Sequence, residues 1–198
     1  MTKTDAKNAA GAGEPQNRRR RRLPGDPDRQ GTVAQMVRVD HAGEYGARRI
    51  YEGQLAVLGR TPVAPTLRHM YEQELRHLQT FESLMVEKRV RPTVFQPLWH
   101  VAGFALGAAT AMMGERAAMA CTVAVEETID EHYAGQIRDL EGEGEDDLRR
   151  TMEEFRQEEL EHRDIGLEHE AEQTPGYELL SHAIKTGSRL AIWLSKRF

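Results

Sequence analysis

The chain has 198 residues, of which 39% are hydrophobic and 30% charged, a length and balance that suit one soluble, helix-rich domain with its own core. Its single cysteine, Cys121, excludes an internal disulfide framework and fits a reducing compartment. The formal charge of −5 hides an asymmetry: residues 1–30 hold eight Lys/Arg against four acids, which leaves −9 on the remainder and argues against a nucleic-acid-binding body.

Residues 1–30 read as a disordered basic tail, with arginine at every position of 18–22 and a turn-rich end at 23–28. The Arg run has the chemistry to touch anionic lipid or nucleic acid, but a solvated tail is the simpler reading. No apolar h-region of a secretory signal is present, and four acids are unlike an organelle transit peptide. From about residue 31 to 198 the chain reads as one domain with helical periodicity and no strand-like alternation.

The first helix is expected over residues 32–58, stopped by Gly59 and Pro62, with an apolar stripe of Val33, Val37, Ala47, Tyr51, Leu55 and Leu58. Glu44 falls in that stripe, with Asp40 one turn before it. The second helix, over 66–89, turns Leu67, Met70, Leu78, Phe81 and Leu84 inward, with Glu74 and His77 at the centre of the same face. Pro92 and Pro97 then precede an Ala- and Gly-rich apolar segment over 98–113. It is too short to span a bilayer and reads as a buried or interfacial helix. After an interruption at 114–116, a helix over 117–140 carries Met119, Thr122, Ile129, Tyr133, Ile137 and Leu140, with Glu126 in their stripe. The turn at 141–146 reverses the chain. A helix over 147–172 then presents Leu148, Met152, Phe155 and Gly166 together with Glu159 and His162. The last helix, 177–198, is basic and amphipathic, fitted either to a membrane surface or to docking on the bundle or a partner subunit.

A lone Glu followed by Glu-x-x-His therefore occurs twice, as Glu44 with Glu74/His77 and as Glu126 with Glu159/His162. With 23 Glu and eight His in the chain, about one Glu-x-x-His is expected by chance, so the pairs alone carry little. Their placement carries more, because all six fall on apolar faces where four uncompensated carboxylates would cost several kcal/mol each. Glu44 and Glu126 each stand fourteen residues before their helix ends, arms of about 21 Å that bring them to one depth. Four Glu and two His at one level of a four-helix bundle form a two-metal ligand set. Carboxylate with imidazole suits iron or manganese rather than structural zinc. In that geometry Glu74 and Glu159 bridge, Glu44 and His77 complete one ion, and Glu126 and His162 complete the other.

The runs 38–47 (Arg-Val-Asp-His-Ala-Gly-Glu-Tyr-Gly-Ala), 89–94 (Arg-Val-Arg-Pro-Thr-Val), 118–127 (Ala-Met-Ala-Cys-Thr-Val-Ala-Val-Glu-Glu) and 158–162 (Glu-Glu-Leu-Glu-His) closely resemble the demethoxyubiquinone hydroxylase family, across about residues 32–198. The resemblance implies an all-α, ferritin-like four-helix bundle with an additional hydrophobic helix and a C-terminal amphipathic helix. It implies a di-iron monooxygenase that hydroxylates the ring of 3-demethoxyubiquinol with O2 in ubiquinone biosynthesis. The ligands carried over are Glu44, Glu74, His77, Glu126, Glu159 and His162, with Glu74 and Glu159 bridging two Fe ions. NADH or reduced quinol is the implied electron source, with contacts at His132, Tyr133, Arg189, Trp193 and Arg197. Gln35 departs from the pattern, standing where some relatives carry Arg.

Each contact position has a plainer reading as well. Tyr133 suits a packed core, and Arg189, Trp193 and Arg197 share one face of a basic helix end. The implied partners are a polyprenyl quinol, O2, a membrane surface and a lipid-presenting protein of the same pathway; no nucleic acid is implied. The implied location is peripheral, on the cytoplasmic side of the cell membrane. Iron storage or ferroxidase activity, and a non-catalytic quinone-binding scaffold, are the alternative functions for such a bundle.

Overall fold

The structure, a computed structural model, describes residues 27–198; the Arg run at 18–22 and the rest of the proposed tail up to residue 26 lie outside the described residues. Helix α1 (Arg29–Leu58) starts three residues earlier than its apolar stripe suggests. Asp28 is the reason: its side chain accepts a 2.7 Å hydrogen bond from the Gly31 amide and caps the first turn. Helix α2 (Ala64–Glu87) has Pro65 in its first turn, where a missing amide hydrogen costs nothing. Helix α3 (Gln96–Met112) begins in the same way with Pro97.

Two residues, Met113 and Gly114, the latter at φ 113°, separate α3 from α4 (Glu115–Leu140), so the expected three-residue interruption is shorter than its sequence suggested and lies slightly earlier. Helix α5 (Asp146–Glu168) opens on two aspartates that complement the helix dipole. It stops short of residue 172, because Glu170 takes a left-handed φ of 60° and turns the chain into a 3-10 segment (Ala171–Gln173) that buries Ala171. Helix α6 (Tyr177–Arg197) completes the fold. Among the described residues there are six α-helices and no strand, the all-α arrangement expected.

Helices α1, α2, α4 and α5 form the bundle, α1 packing on α2 and α4 on α5, while α3 and α6 lie outside against α1 and α4. The core falls into two apolar layers. One gathers Val33, Val37, Phe81, Leu148, Met152 and Phe155. The other gathers Leu58, Leu67, Met70, Met119 and Val123. On every bundle helix the candidate ligands lie in sequence between the residues contributed to these two layers, so hydrocarbon closes the polar level above and below.

Helix α3 approaches α1 backbone to backbone. A Cβ on Gly107 would lie 1.9 Å from the Ile50 carbonyl oxygen, and one on Gly53 2.2 Å from that of Phe104. This close crossing leaves α3 half out of the fold, with Leu98, Val101 and Met112 exposed. No helix among the described residues is long and apolar enough to cross a membrane.

Candidate metal centre

The six residues singled out by their spacing meet in the middle of the bundle, none more than 4% exposed. They form two groups, Glu44, Glu74, His77 and Glu159 on one side and Glu74, Glu126, Glu159 and His162 on the other. Within each group the nearest ligand atoms all lie within 4.8 Å of one another. Glu74 and Glu159 are common to both, so the arrangement is two sites that share two carboxylates. Helical spacing explains this: α2 and α5 each place a Glu and a His on one inner face, one turn apart.

Both imidazoles turn Nδ1 toward the carboxylates. His77 Nδ1 is 3.1 Å from Glu159 Oε1 and 3.3 Å from Glu44 Oε2. His162 Nδ1 is 3.2 Å from Glu159 Oε2 and 3.3 Å from Glu74 Oε1. The lone glutamates are each held by a tyrosine from the opposite helix. Tyr133 of α4 donates a short hydrogen bond to Glu44 of α1, and Tyr51 of α1 donates to Glu126 of α4 at 3.3 Å. Both tyrosines follow the Glu of their own helix by seven residues, so the exchange is reciprocal.

Burial dominates the electrostatics. It raises Glu44 and Glu126 above the ordinary carboxylate range and takes Glu74, beside Glu159, to about 8. Burial would lower both histidines, but their carboxylate partners outweigh it and raise His77 to about 12 and His162 to about 11. Burial also pushes Glu159 up, yet hydrogen bonds from His162 and His77 prevail and hold it at about 2. Tyr133 and Tyr51 are raised by burial and by the neighbouring carboxylates, so both stay protonated donors.

Without metal, the negative charge of four buried carboxyls is thus held down by protons on both imidazoles and on the raised carboxyls, Glu74 among them. Several of their oxygens still have no hydrogen-bond partner: Glu44 Oε2, both oxygens of Glu74, Glu126 Oε2 and Glu159 Oε2. Bare acceptors converging in a dry core fit divalent cations, which replace the protons and satisfy the oxygens. Carboxylate-rich ligation with one imidazole on each side is chemistry suited to iron or manganese.

Residues around the six were not evident from spacing. Glu158 accepts from His77 Nε2 at 2.8 Å, and Gln73 Oε1 accepts from His162 Nε2 at 3.0 Å. Each stands immediately before a shared Glu, on the helix opposite the histidine it supports, and that crossed position is the signal in the sequence. Tyr51, read only as a stripe residue, is the other. Asp40, one turn before Glu44, is buried on the α1–α4 seam, where its Oδ1 meets His132 Nε2 at 3.1 Å and accepts from Gln136 at 2.8 Å.

The remaining contact positions stand apart from the centre. Arg189, Trp193 and Arg197 lie on an exposed face of α6. The Arg197 guanidinium sits 4.0 Å over the Trp193 ring, and Arg189 pairs with Glu131 at 3.0 Å, beside His132. The inner side of α6, through Ser181, Ile184 and Ser195, is buried against the bundle. Gln35 is half-buried on α1. Cys121 is fully buried, and that burial raises its thiol to about 12.

Relatives match the chain over most of its length. It is 57% identical over 177 residues to a Rhodospirillum rubrum protein named 3-demethoxyubiquinol 3-hydroxylase, covering 89% of this chain and 83% of that one. It is 59% identical over 169 residues to the Rattus norvegicus protein named NADPH-dependent 3-demethoxyubiquinone 3-hydroxylase, mitochondrial, covering 84% and 78%. To the Saccharomyces cerevisiae protein named 5-demethoxyubiquinone hydroxylase, mitochondrial, it is 42% identical over 178 residues, covering 82% and 76%. Residues 31–195 match the family described as ubiquinone biosynthesis protein COQ7. The buried Glu/His centre sits inside that matched segment, and the chain belongs to the COQ7 family.

Proposed function

We propose that this protein is the 3-demethoxyubiquinol 3-hydroxylase of ubiquinone biosynthesis, a monooxygenase that uses O2 and a pair of iron ions. The observation that carries the reading is the sharing of Glu74 and Glu159 between two buried Glu/His groups in a chain so similar to proteins named for this reaction. Glu74 and Glu159 would bridge the ions, Glu44 and His77 would complete one, and Glu126 and His162 the other.

Iron bound there supplies activation of O2 and delivery of one oxygen atom to the ring, while two electrons and two protons reduce the second atom to water. The protein's own residues supply geometry and dryness. Tyr133 and Tyr51 fix the rotamers of Glu44 and Glu126 by their hydrogen bonds. Glu158 and Gln73 hold the Nε2 protons of His77 and His162, which leaves each Nδ1 free to ligate. The two apolar layers keep bulk water from the centre.

The electrons would come from a nicotinamide or from reduced quinol. The name of the Rattus norvegicus relative specifies NADPH, whereas the sequence resemblance suggests NADH. The exposed Arg189, Trp193 and Arg197 face of α6 offers two guanidiniums and an aromatic ring for such a dinucleotide, and its pairing with Glu131 ties it to the helix that bears His132 and Tyr133.

A polyprenyl substrate resides in a bilayer, and one side of the fold suits a bilayer surface. Leu98, Val101 and Met112 of α3 and Leu179 and Leu190 of α6 are exposed apolar side chains. The segment leading into α3 is tied to the end of α6 where the Val94 amide and the Thr93 hydroxyl donate to the Phe198 carbonyl oxygen, at 2.9 and 3.1 Å, and Trp99 of α3 donates to Ser195 of α6 at 3.0 Å. Lys196 and Arg197 border this surface, a pattern suited to anionic headgroups. We assign the protein to peripheral attachment on the cytoplasmic side of the cell membrane. The same exposed apolar side chains would serve a lipid-presenting partner.

Anaerobic loading with Fe(II), followed by mass-spectrometric assay of demethoxyquinol in the presence of O2 and either NADH or NADPH, tests the reaction directly. The expected product is heavier by one oxygen atom derived from O2. An unchanged substrate with fully iron-loaded protein would refute the assignment.

A further inference from the structure

The two halves of the centre are alike in their ligands but unlike in what stands behind the histidines. Glu158 and Gln73 occupy equivalent places, each immediately before a shared glutamate and each supporting the histidine of the other helix. One is a carboxylate and the other a neutral amide. His77 Nε2–H donates to Glu158 Oε2 at 2.8 Å, whereas His162 Nε2–H donates to Gln73 Oε1 at 3.0 Å. The Gln73 amide orientation is fixed from its other end, where Nε2 approaches the same Glu158 oxygen at 3.4 Å. A continuous run of hydrogen bonds therefore links His162 through Gln73 to Glu158, which also accepts from His77, so its negative charge lies at the His77 end.

A carboxylate behind an imidazole pulls on the Nε2 proton and makes Nδ1 a stronger donor to a cation; an amide oxygen does so much less. Arg76 also pairs with Glu158, but its side chain is 51% exposed and remains largely solvated, so it offsets the negative charge only in part. Among the described residues no carboxylate stands behind His162 Nε2, whose partner is the Gln73 amide oxygen.

We infer that Glu158 and Gln73 are positioning residues that make the two metal positions unequal, the Glu44/His77 position binding a divalent ion more tightly than the Glu126/His162 position. The inference rests on the two-metal reading proposed above, and concerns which half of that site fills first.

The test is calorimetric titration of the metal-free full chain with Co(II) under argon, using wild type, Glu158→Gln and Gln73→Met. Wild type should take up two ions in two resolved steps. Glu158→Gln should weaken the first step by about 10- to 100-fold and leave the second within about twofold, so that the steps merge. Gln73→Met should weaken only the second step. A merely structural role for Glu158 would lower thermal stability or both steps together, so thermal melts of each metal-free variant accompany the titrations. Two equal steps in wild type, or equal weakening of both steps by Glu158→Gln, would overturn the inference while leaving the two-metal reading intact. Uptake of one ion or none by wild type would instead overturn that reading, and the inference with it.

Discussion

Tyr133 gives its phenolic hydrogen bond to Glu44 on α1, not to Glu126 seven residues before it on its own helix. Tyr51 does the converse from α1 to Glu126. The exchange ties α1 to α4 at the level of the metal centre and sets the direction of both terminal carboxylates. Tyr133→Phe removes a donor to a buried carboxylate, so it should weaken metal binding about 10-fold or more with little change in helix content. Titration with Co(II) alongside circular dichroism checks this; unaltered affinity would mean that the hydroxyl plays no part in orienting Glu44.

The stability of the metal-free protein should depend on pH with a definite sign. His77 and His162 are raised to about 12 and 11 from 6.5, so their contribution is complete below 6.5 and is lost as pH rises toward those values. Glu74, raised to about 8 from 4.5, also disfavours the folded state as pH rises between those two values. Glu159, lowered to about 2 from 4.5, contributes above 4.5 and loses that contribution as pH falls. The metal-free chain should therefore melt highest near pH 4.5, where Glu159 and the histidines contribute and Glu74 does not yet oppose folding, and fall by several degrees toward pH 8.5. Divalent metal should remove that fall and release protons on binding. A melting temperature that rises from pH 6.5 to 8.5 without metal would contradict the charge balance described here.

The α1–α3 crossing admits no side chain at Gly107, where an added Cβ would meet the Ile50 carbonyl. Gly107→Ala should cost about 1–3 kcal/mol by forcing the helices apart. Gly46→Ala, on α1 with nothing within 4 Å of its new Cβ, should instead stabilise by about 0.5–1 kcal/mol through helix propensity. Thermal or urea melts of the two variants should move in opposite directions. Equal shifts would mean that the close crossing does not hold α3 in place.

Membrane attachment through α3 and α6 predicts that the protein floats with vesicles containing anionic phospholipid, and less with neutral ones. Leu98 and Val101 are 52% and 64% exposed, so replacing both with Glu should abolish flotation while leaving the melting temperature within a few degrees. Equal recovery of wild type with and without vesicles would refute a membrane-facing role for this surface.

Much of the centre was legible because its chemistry is written at helical spacing. Glu74/His77 and Glu159/His162 share faces with Leu78, Phe81, Met152 and Phe155, and a charged pair inside an apolar stripe reads as buried whatever surrounds it. The equal distance of Glu44 and Glu126 from their helix ends placed them at one depth. What escaped notice depends on contacts between helices. Glu158 reads as one more acid in an acid-rich run, and Gln73 as one more polar surface residue; only the packing of α2 against α5 brings each behind a histidine of the other helix. The early start of α1 was visible in Asp28, but a turn-rich neighbourhood obscured its role as a cap. The end of α5 was not, because a left-handed non-glycine residue such as Glu170 leaves no mark in the sequence.

The central claim is that Glu74 and Glu159 hold two metal ions between them, and Glu159→Gln, nearly isosteric but unable to carry the bridging charge, addresses it most directly. Iron content measured per chain after anaerobic Fe(II) loading and desalting, read beside oxygen-atom incorporation into demethoxyquinol, should give two irons and product for wild type. The variant should retain one iron or fewer and form no product. Two tightly held irons and full turnover in Glu159→Gln would contradict the claim.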